Sequence, residues 1–141
     1  MPEERRPARL LRAPHHDVNS RPFIVIWECT RACPLACQHC RAEAQLRRQS
    51  GELSTAEGVE LAVQVAAFGS PPPLFVITGG DPFAREDLFE IVRGAVSQGL
   101  AVAVSPSGTP SLTAENLAAL KDAGAVAISL SLDGSTAERH D

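Results

Sequence analysis

Short apolar runs alternate along the chain with longer segments in which apolar residues recur every three or four positions. Four runs rich in β-branched residues predict buried strands, at 23–27, 74–78, 100–104 and 126–132. Helical periodicity predicts helices between them, over about 54–68, about 85–98 and from Thr113 to Gly124. The last three strands begin 26 residues apart, which fits one strand and one crossover helix per repeat.

Local signals predict where these helices begin and end. Ser54 and Glu57 have the spacing of a capping box, and Ser135 begins a second one. Three prolines at 71–73 end the first helix because proline can neither donate a hydrogen bond nor fit the next turn. The second helix should turn its apolar side inward and end before Gly99; this side consists of Leu88, Ile91, Val92 and Ala95.

Repeated β/α units predict an α/β fold with a parallel sheet and function at the carboxyl ends of its strands. A complete eightfold barrel needs about 250 residues, so four units predict the N-terminal piece of a longer barrel protein. A complete open domain of four strands is the alternative. We expect residues 1–22 to form a flexible arm and residues 23–141 to form four β/α units of one domain.

Composition and charge exclude several classes of protein. The 44% hydrophobic and 21% charged residues are typical of a globular chain and not of a disordered one. A net charge of −4 argues against a general binder of nucleic acid or anionic membranes, although residues 1–22 carry five arginines against three acidic residues. The chain begins without the apolar core of a signal peptide, so we expect a cytoplasmic location.

All four cysteines fall within twelve residues, at Cys29, Cys33, Cys37 and Cys40. Disulfides would close very short loops and stabilise little, so this crowding favours a metal site. Cys33, Cys37 and Cys40 form a CxxxCxxC array after the first strand, and three thiolates on one loop can hold three corners of a cubane iron–sulfur cluster. The fourth iron would then be free to bind a small molecule.

Two other readings of these cysteines use Cys29 as a fourth ligand. The four thiolates could enclose a tetrahedral zinc ion or a closed electron-transfer cluster without catalysis. Zinc sites usually combine two well-separated CxxC halves, and this chain has no second half. Cys29 could also be a small buried residue at the end of the strand.

Three motifs on successive strand ends resemble those of the radical SAM superfamily. They are WECTRAC at 27–33 with CRAEA at 40–44, TGGDP at 78–82 and SLDG at 131–134. The chain is most similar to the branch with a C-terminal auxiliary-cluster (SPASM) domain, near the iron-coproporphyrin decarboxylases of haem maturation. The resemblance covers about residues 22–141 and implies the N-terminal part of a partial (β/α)6 TIM-like barrel.

The resemblance implies that Cys33, Cys37 and Cys40 ligate a 4Fe–4S cluster whose open iron binds S-adenosylmethionine (SAM). Reductive cleavage of SAM would give methionine and a 5′-deoxyadenosyl radical that abstracts hydrogen from the substrate, with flavodoxin or ferredoxin as reductant. A tetrapyrrole side chain is the first choice of substrate and a peptide is the alternative, because these motifs bind the cofactor and leave the substrate undetermined. No nucleic-acid or membrane partner is expected.

The resemblance further implies a set of SAM-binding residues and no catalytic side chain. His39 would lie near the adenine, or would be a hydrogen-bonded loop histidine. The expected set is His39, Gly79, Gly80, Asp81, Pro82, Ser107, Ser131 and Asp133. Asp81 stands where the family commonly has glutamate, and either its carboxylate or the backbone carbonyls beside it would accept from the SAM ammonium. Ser107 stands where relatives often have asparagine.

The fourth predicted strand adds a pattern of its own. A period of two places Ser129, Ser131 and Asp133 on the side opposite its apolar residues, facing the barrel interior. The resemblance implies that Ser131 binds the carboxylate or ribose of SAM and that Asp133 shapes the following loop. The alternatives are a serine bonded within the core and an aspartate in a turn.

Overall fold

The computed structural model describes residues 16–35, 37–41 and 43–140. Within them the chain forms one parallel sheet, whose strands are β1 (Ile24–Glu28), β2 (Leu74–Thr78), β3 (Val102–Val104) and β4 (Ala127–Ile128). The helices are α1 (Thr55–Ala66), α2 (Leu88–Ser97), α3 (Ala114–Asp122) and the short α4 (Ala137–His140). A 3₁₀ turn at Pro82–Ala84 precedes α2.

The order of the strands in the sheet is the order of the strands in the chain, β1-β2-β3-β4. Doubly wound sheets reverse their strand order at a switch point, whereas barrels add each strand beside the previous one. The described strands show no such reversal. The predicted α/β class and the repeated β/α units are therefore confirmed, with the topology of the first units of a barrel.

The helices cover one face of the sheet. Phe75, Ile77, Val102 and Val104 are fully buried on this face and pack against the apolar sides of the helices. The helix residues in this core are Ala62, Val65, Leu88, Ile91, Val92, Ala95 and Leu120. On the opposite face of β1, Ile24 is 40% exposed and Ile26 is 64% exposed. One face of the sheet is thus a close-packed core, and the other face is open at β1.

The predicted helix signals are largely confirmed. Ser54 caps α1 by accepting from the Glu57 N–H, and the Glu57 carboxylate accepts in return from the Ser54 N–H. Thr113 caps α3 by accepting from the Asn116 N–H. All four residues predicted for the inner side of α2 are buried. The first helix ends at Ala66, two residues before the predicted end.

The second helix begins three residues later than predicted, at Leu88. Asp81 accepts a hydrogen bond from the Phe83 N–H and starts the 3₁₀ turn, which ends at Arg85 in an extended conformation. The extended backbone at Arg85 turns its side chain into the interior. The prediction of helix from residue 85 was wrong because capping by Asp81 and burial of Arg85 outweighed local helical periodicity.

The predicted fourth strand at 126–132 is shorter in the structure, where β4 comprises Ala127–Ile128. β4 pairs only with β3 among the described strands, so it cannot continue past the end of β3. β3 ends at Val104 because Pro106 follows and has no N–H to donate to a neighbouring strand. Ser129 donates to the Val104 carbonyl at 3.1 Å as the last such contact. The predicted alternation of side chains therefore stops before Ser131.

The predicted N-terminal arm lies mostly outside the described residues. Within its described part, the His16 ring lies edge-on to Phe23 with centroids 5.2 Å apart. Arg21 Nη1 donates to the Ser70 carbonyl at 2.8 Å. Residues 16–22 therefore lie against the fold. Across the described part of the chain, no helix combines the length and apolar character needed to cross a membrane.

Candidate functional site

A cavity of about 1080 Å³ opens at the carboxyl ends of the strands, and the loops that follow all four strands line it. Seven of the eleven residues that the sequence singled out lie in its wall, namely Cys37, His39, Gly79, Gly80, Ser107, Ser131 and Asp133. Cys33, Cys40, Asp81 and Pro82 belong to the same loops but do not line the cavity. The structure thus brings residues far apart in sequence to one place.

The backbone between β1 and the first cysteine of the array, residues 29–33, is here called the first limb. Its hydrogen bonds run to the turn after β2. The Cys29 N–H donates to the Thr78 carbonyl at 2.8 Å, the Gly80 N–H donates to the Thr30 carbonyl at 2.7 Å, and the Asp81 N–H donates to the Ala32 carbonyl at 2.7 Å. The first limb therefore lies directly on this turn, residues 79–81, which is here called the glycine turn.

The two glycines of this turn leave no room for a side chain. A Cβ on Gly79 would lie 2.3 Å from the Thr30 carbonyl oxygen, and Gly79 also has a φ of 143°. A Cβ on Gly80 would lie 2.6 Å from the Ala32 carbonyl oxygen. The sequence predicted glycines here for close backbone approach, and the group that approaches in the structure is the first limb itself.

The cysteine loop, residues 33–45, is closed at its base. The Cys33 N–H donates to the Gln45 carbonyl and the Gln45 N–H donates to the Arg31 carbonyl, both at 2.8 Å. These bonds form a parallel bridge between Ala32 and Gln45. The loop that carries the three cysteines therefore leaves and rejoins the fold at one fixed point.

All four cysteines are free thiols in the structure. Cys33 is buried with its Sγ 3.9 Å from Ser107 Oγ, Cys37 is exposed in the cavity wall and Cys40 is half-buried. Among the described residues, no three Cys, His, Asp or Glu side chains come close enough together to hold a metal ion. The donor set nevertheless fits an iron–sulfur cluster, because it consists of three thiols on a loop fixed at its base.

Cys29 differs from the other three cysteines. Its side chain is 2% exposed and belongs to the hydrophobic core between the sheet and the helices. Burial raises the pKa of the Cys29 thiol to about 12, although nearby Arg85 opposes this shift. Because the thiolate is the form that binds metals, this environment favours the reading of Cys29 as a core residue.

The carboxylate of Asp81 is 1% exposed and binds within the fold. Its Oδ1 accepts from the Phe83 N–H at 3.1 Å, and its Oδ2 accepts from the Thr109 hydroxyl at 2.7 Å. Ser107 adds a second link between the same loops, because its hydroxyl donates to the Gly80 carbonyl at 2.6 Å. Asp81 and Ser107 therefore tie the loop after β2 to the loop after β3.

Two other residues predicted for the site contact each other across the cavity. His39 Nε2 lies 3.1 Å from Asp133 Oδ2, which links the cysteine loop to the segment after β4. The Asp133 N–H donates to His140 Nδ1 at 3.1 Å. Ser131 lies in the wall, and Pro82 is buried as the first residue of the 3₁₀ turn. Both side chains of this contact are exposed, His39 at 71% and Asp133 at 45%, so the contact closes the rim of the cavity without fixing it strongly.

Sequence reasoning missed Arg85, which lies beneath the first limb and is 2% exposed. Its guanidinium donates to the carbonyls of Cys29 and Leu53 and to the carboxylate of Asp87, and it lies over the Trp27 ring at 5.5 Å. All five N–H groups of the guanidinium have an acceptor. The sequence contained no signal for this role, because an arginine at the start of a helix is ordinarily exposed.

Comparison with known families supplies the remaining evidence. The family model described as the Radical SAM superfamily matches residues 27–141. The chain belongs to this superfamily. The match begins at Trp27 on β1 and includes the cysteine loop, the glycine turn and the loops that line the cavity.

This radical SAM chain is similar to curated proteins with three different names. It is 44% identical over 118 residues to the AdoMet-dependent heme synthase of Oleidesulfovibrio alaskensis, covering 84% of the chain and 30% of the relative. It is 40% identical over 111 residues to the Fe-coproporphyrin III synthase of Methanosarcina barkeri, covering 79% and 27%. It is 40% identical over 116 residues to the PqqA peptide cyclase of Rhodopseudomonas palustris, covering 82% and 30%. The chain thus spans less than a third of the length of these relatives.

The close approach of the glycine turn to the first limb gives a prediction for this radical SAM chain. Gly80→Ala should lower the free energy of unfolding by about 1–3 kcal/mol, because the new methyl forces two hydrogen-bonded backbones apart. Gly108→Ala is the matched control, since a Cβ there meets nothing within 4 Å. Urea unfolding of the two variants measures the difference, and equal stability of both would contradict the interlocked backbones.

Proposed function

We propose that this chain is the cofactor-binding part of a radical SAM enzyme in which Cys33, Cys37 and Cys40 hold a 4Fe–4S cluster. The observation that carries the proposal is a loop of three free thiols, fixed at its base beside a cavity, in a chain of the radical SAM superfamily. When bound, the cluster supplies the electron that cleaves SAM to methionine and a 5′-deoxyadenosyl radical, which takes hydrogen from the substrate. A flavodoxin or ferredoxin would be the source of the electron.

The chain itself binds and orients SAM in this proposal. The cavity is as large as the clefts that ordinarily enclose small ligands, and polar groups project into it from every loop. His39 would contact the adenine, Ser131 would bind the carboxylate or ribose, and Asp133 would hold the rim through His39. Ser107 would act from the cavity wall, where its hydroxyl donates to the Gly80 carbonyl.

The first test concerns the metal ligands. Anaerobic reconstitution should load iron and labile sulfide into the Cys29→Ala variant as into the unmodified protein, because three ligands leave one iron open for SAM. Cys33→Ala, Cys37→Ala and Cys40→Ala should each lose the cluster.

Two results would overturn this ligand assignment. Loss of iron from Cys29→Ala as complete as that from Cys37→Ala would indicate a closed site with four protein ligands. One zinc ion per chain, with no spectral response to SAM, would indicate a non-catalytic zinc module.

The ammonium of SAM would be met by main-chain carbonyls of the glycine turn, because both carboxylate oxygens of Asp81 are engaged within the fold. Asp81 then affects SAM binding indirectly, because its carboxylate ties the glycine turn to the loop after β3. Its effect should be shared with Thr109, whose hydroxyl donates to it.

Equilibrium binding of SAM to the cluster-loaded protein separates the two roles of Asp81. Asp81→Ala and Thr109→Val should weaken SAM binding to a similar extent. A direct bond to the ammonium would instead cost Asp81→Ala about 1.5–3 kcal/mol of binding free energy while Thr109→Val kept its affinity. That second pattern would contradict the main-chain assignment.

A tetrapyrrole is the proposed substrate, since relatives named for haem synthesis show up to 44% identity over 118 residues. The full-length, cluster-loaded enzyme should shift the Soret band of iron-coproporphyrin and release 5′-deoxyadenosine in its presence. The comparison substrate is a peptide whose gene lies near the gene of this protein, because relatives named PqqA peptide cyclase are 36–40% identical to the chain. Release of 5′-deoxyadenosine with the peptide alone would overturn the assignment of a tetrapyrrole substrate. It would leave the proposed radical SAM chemistry intact.

A further inference from the structure

Four charged side chains form a continuous ionic chain beneath the first limb. Arg85 Nη2 lies 2.6 Å from Asp87 Oδ2, and Arg48 Nη1 lies 3.9 Å from Asp87 Oδ1. Arg48 Nε then donates to Glu52 Oε2 at 2.8 Å. The Arg85 side chain is fully buried, and those of Asp87 and Glu52 are 16% and 10% exposed. The Arg48 side chain, which joins Asp87 to Glu52, is 37% exposed, so the ionic chain is buried at the Arg85 end and reaches solvent at Arg48.

Both ends of the ionic chain hold the first limb. At one end Arg85 Nη1 donates to the Cys29 carbonyl at 2.9 Å. At the other end Glu52 Oε1 accepts from the Thr30 hydroxyl at 2.8 Å and from the Arg31 N–H at 3.0 Å. The Thr30 hydroxyl in turn accepts from the Ala32 N–H at 3.0 Å. Backbone polar groups of residues 29–32, which lie beyond the end of β1, thus have hydrogen-bond partners along the whole limb up to the residue before Cys33.

The carboxylates of this ionic chain are held in their charged form. Burial would raise the pKa of Glu52, but hydrogen bonds from Arg48, the Arg31 N–H and Thr30 outweigh burial and lower it. Burial would likewise raise the pKa of Asp87, and hydrogen bonds from Arg85 and Thr55 lower it. Charge-assisted bonds of this kind are shorter and stronger than neutral ones, so they fix geometry well.

We propose that Glu52 and Arg85 are positioning residues that hold the first limb so that Cys33 is presented to the cluster. Neither residue touches the cysteine itself, and both act through the backbone that leads into it. The glycine turn fixes this backbone from one side through the Thr30 and Ala32 carbonyls, and the ionic chain fixes it from the other through the Cys29 carbonyl and the Arg31 N–H. The inference rests on the proposed cluster.

The test compares variants of the full-length, reconstituted protein by the rate at which a chelator removes iron. Glu52→Ala removes both bonds to the limb and should lose iron roughly 10-fold faster, the lower end of the effect of removing an outer-shell partner of a metal ligand. Glu52→Gln keeps an oxygen that can accept from Thr30 and Arg31, so it should restore most of the retention. Glu60→Gln, on the exposed side of α1, should have no effect.

Val65→Ala separates positioning from general loss of stability, because Val65 is a core residue of α1 that is 2% exposed. Each variant is measured at the same number of degrees below its own melting temperature. Under these conditions Val65→Ala should retain iron and Glu52→Ala should lose it. Equal iron loss from these two variants, or no rescue by Glu52→Gln, would overturn the positioning role. An unmodified protein that takes up no cluster would instead contradict the proposed function.

Discussion

Two segments of backbone lie against each other where β1 and β2 end, and the rest of the site depends on that contact. The Gly80 and Asp81 N–H groups donate to the Thr30 and Ala32 carbonyls at 2.7 Å, a distance that places glycine turn and first limb in direct contact. Any Cβ at Gly79 or Gly80 would overlap a carbonyl oxygen. Because parallel strands end at the same edge, this contact places the start of the cysteine loop over the turn that forms the cavity wall.

Around this contact the fold uses buried polar groups in place of apolar packing. Asp81 bridges to Thr109, Glu52 accepts from Thr30, and Arg85 satisfies its five donors on carbonyls and on Asp87. Every buried side-chain nitrogen and oxygen in the described residues has a partner. Satisfied polar networks define geometry sharply because partial satisfaction is costly, which suits a loop that must present thiolates to a cluster.

Much of this architecture could be predicted from the sequence, because strands, caps and glycine turns are local features. The capping box at Ser54 and the inner side of α2 follow from neighbouring residues. The glycine pair predicted a close backbone approach at Gly79 and Gly80, but the group that approaches, the first limb, is distant in sequence. What could not be predicted depends on distant partners. Burial of Arg85 requires carbonyls of Cys29 and Leu53, and the inward turn of Asp81 requires Thr109 from the loop after β3. The length of β4 likewise depends on where Pro106 ends β3.

We expect the first limb to be held in place before any cluster binds. Residue-resolved amide hydrogen exchange of the metal-free protein tests this claim directly, because exchange reports the free energy of local opening. We expect the amides of Arg31, Cys33, Gly80 and Asp81 to exchange as slowly as those of β2, and the amides at 37–39 in the cysteine loop to exchange rapidly. Exchange of the first limb and the glycine turn as fast as that loop would contradict it.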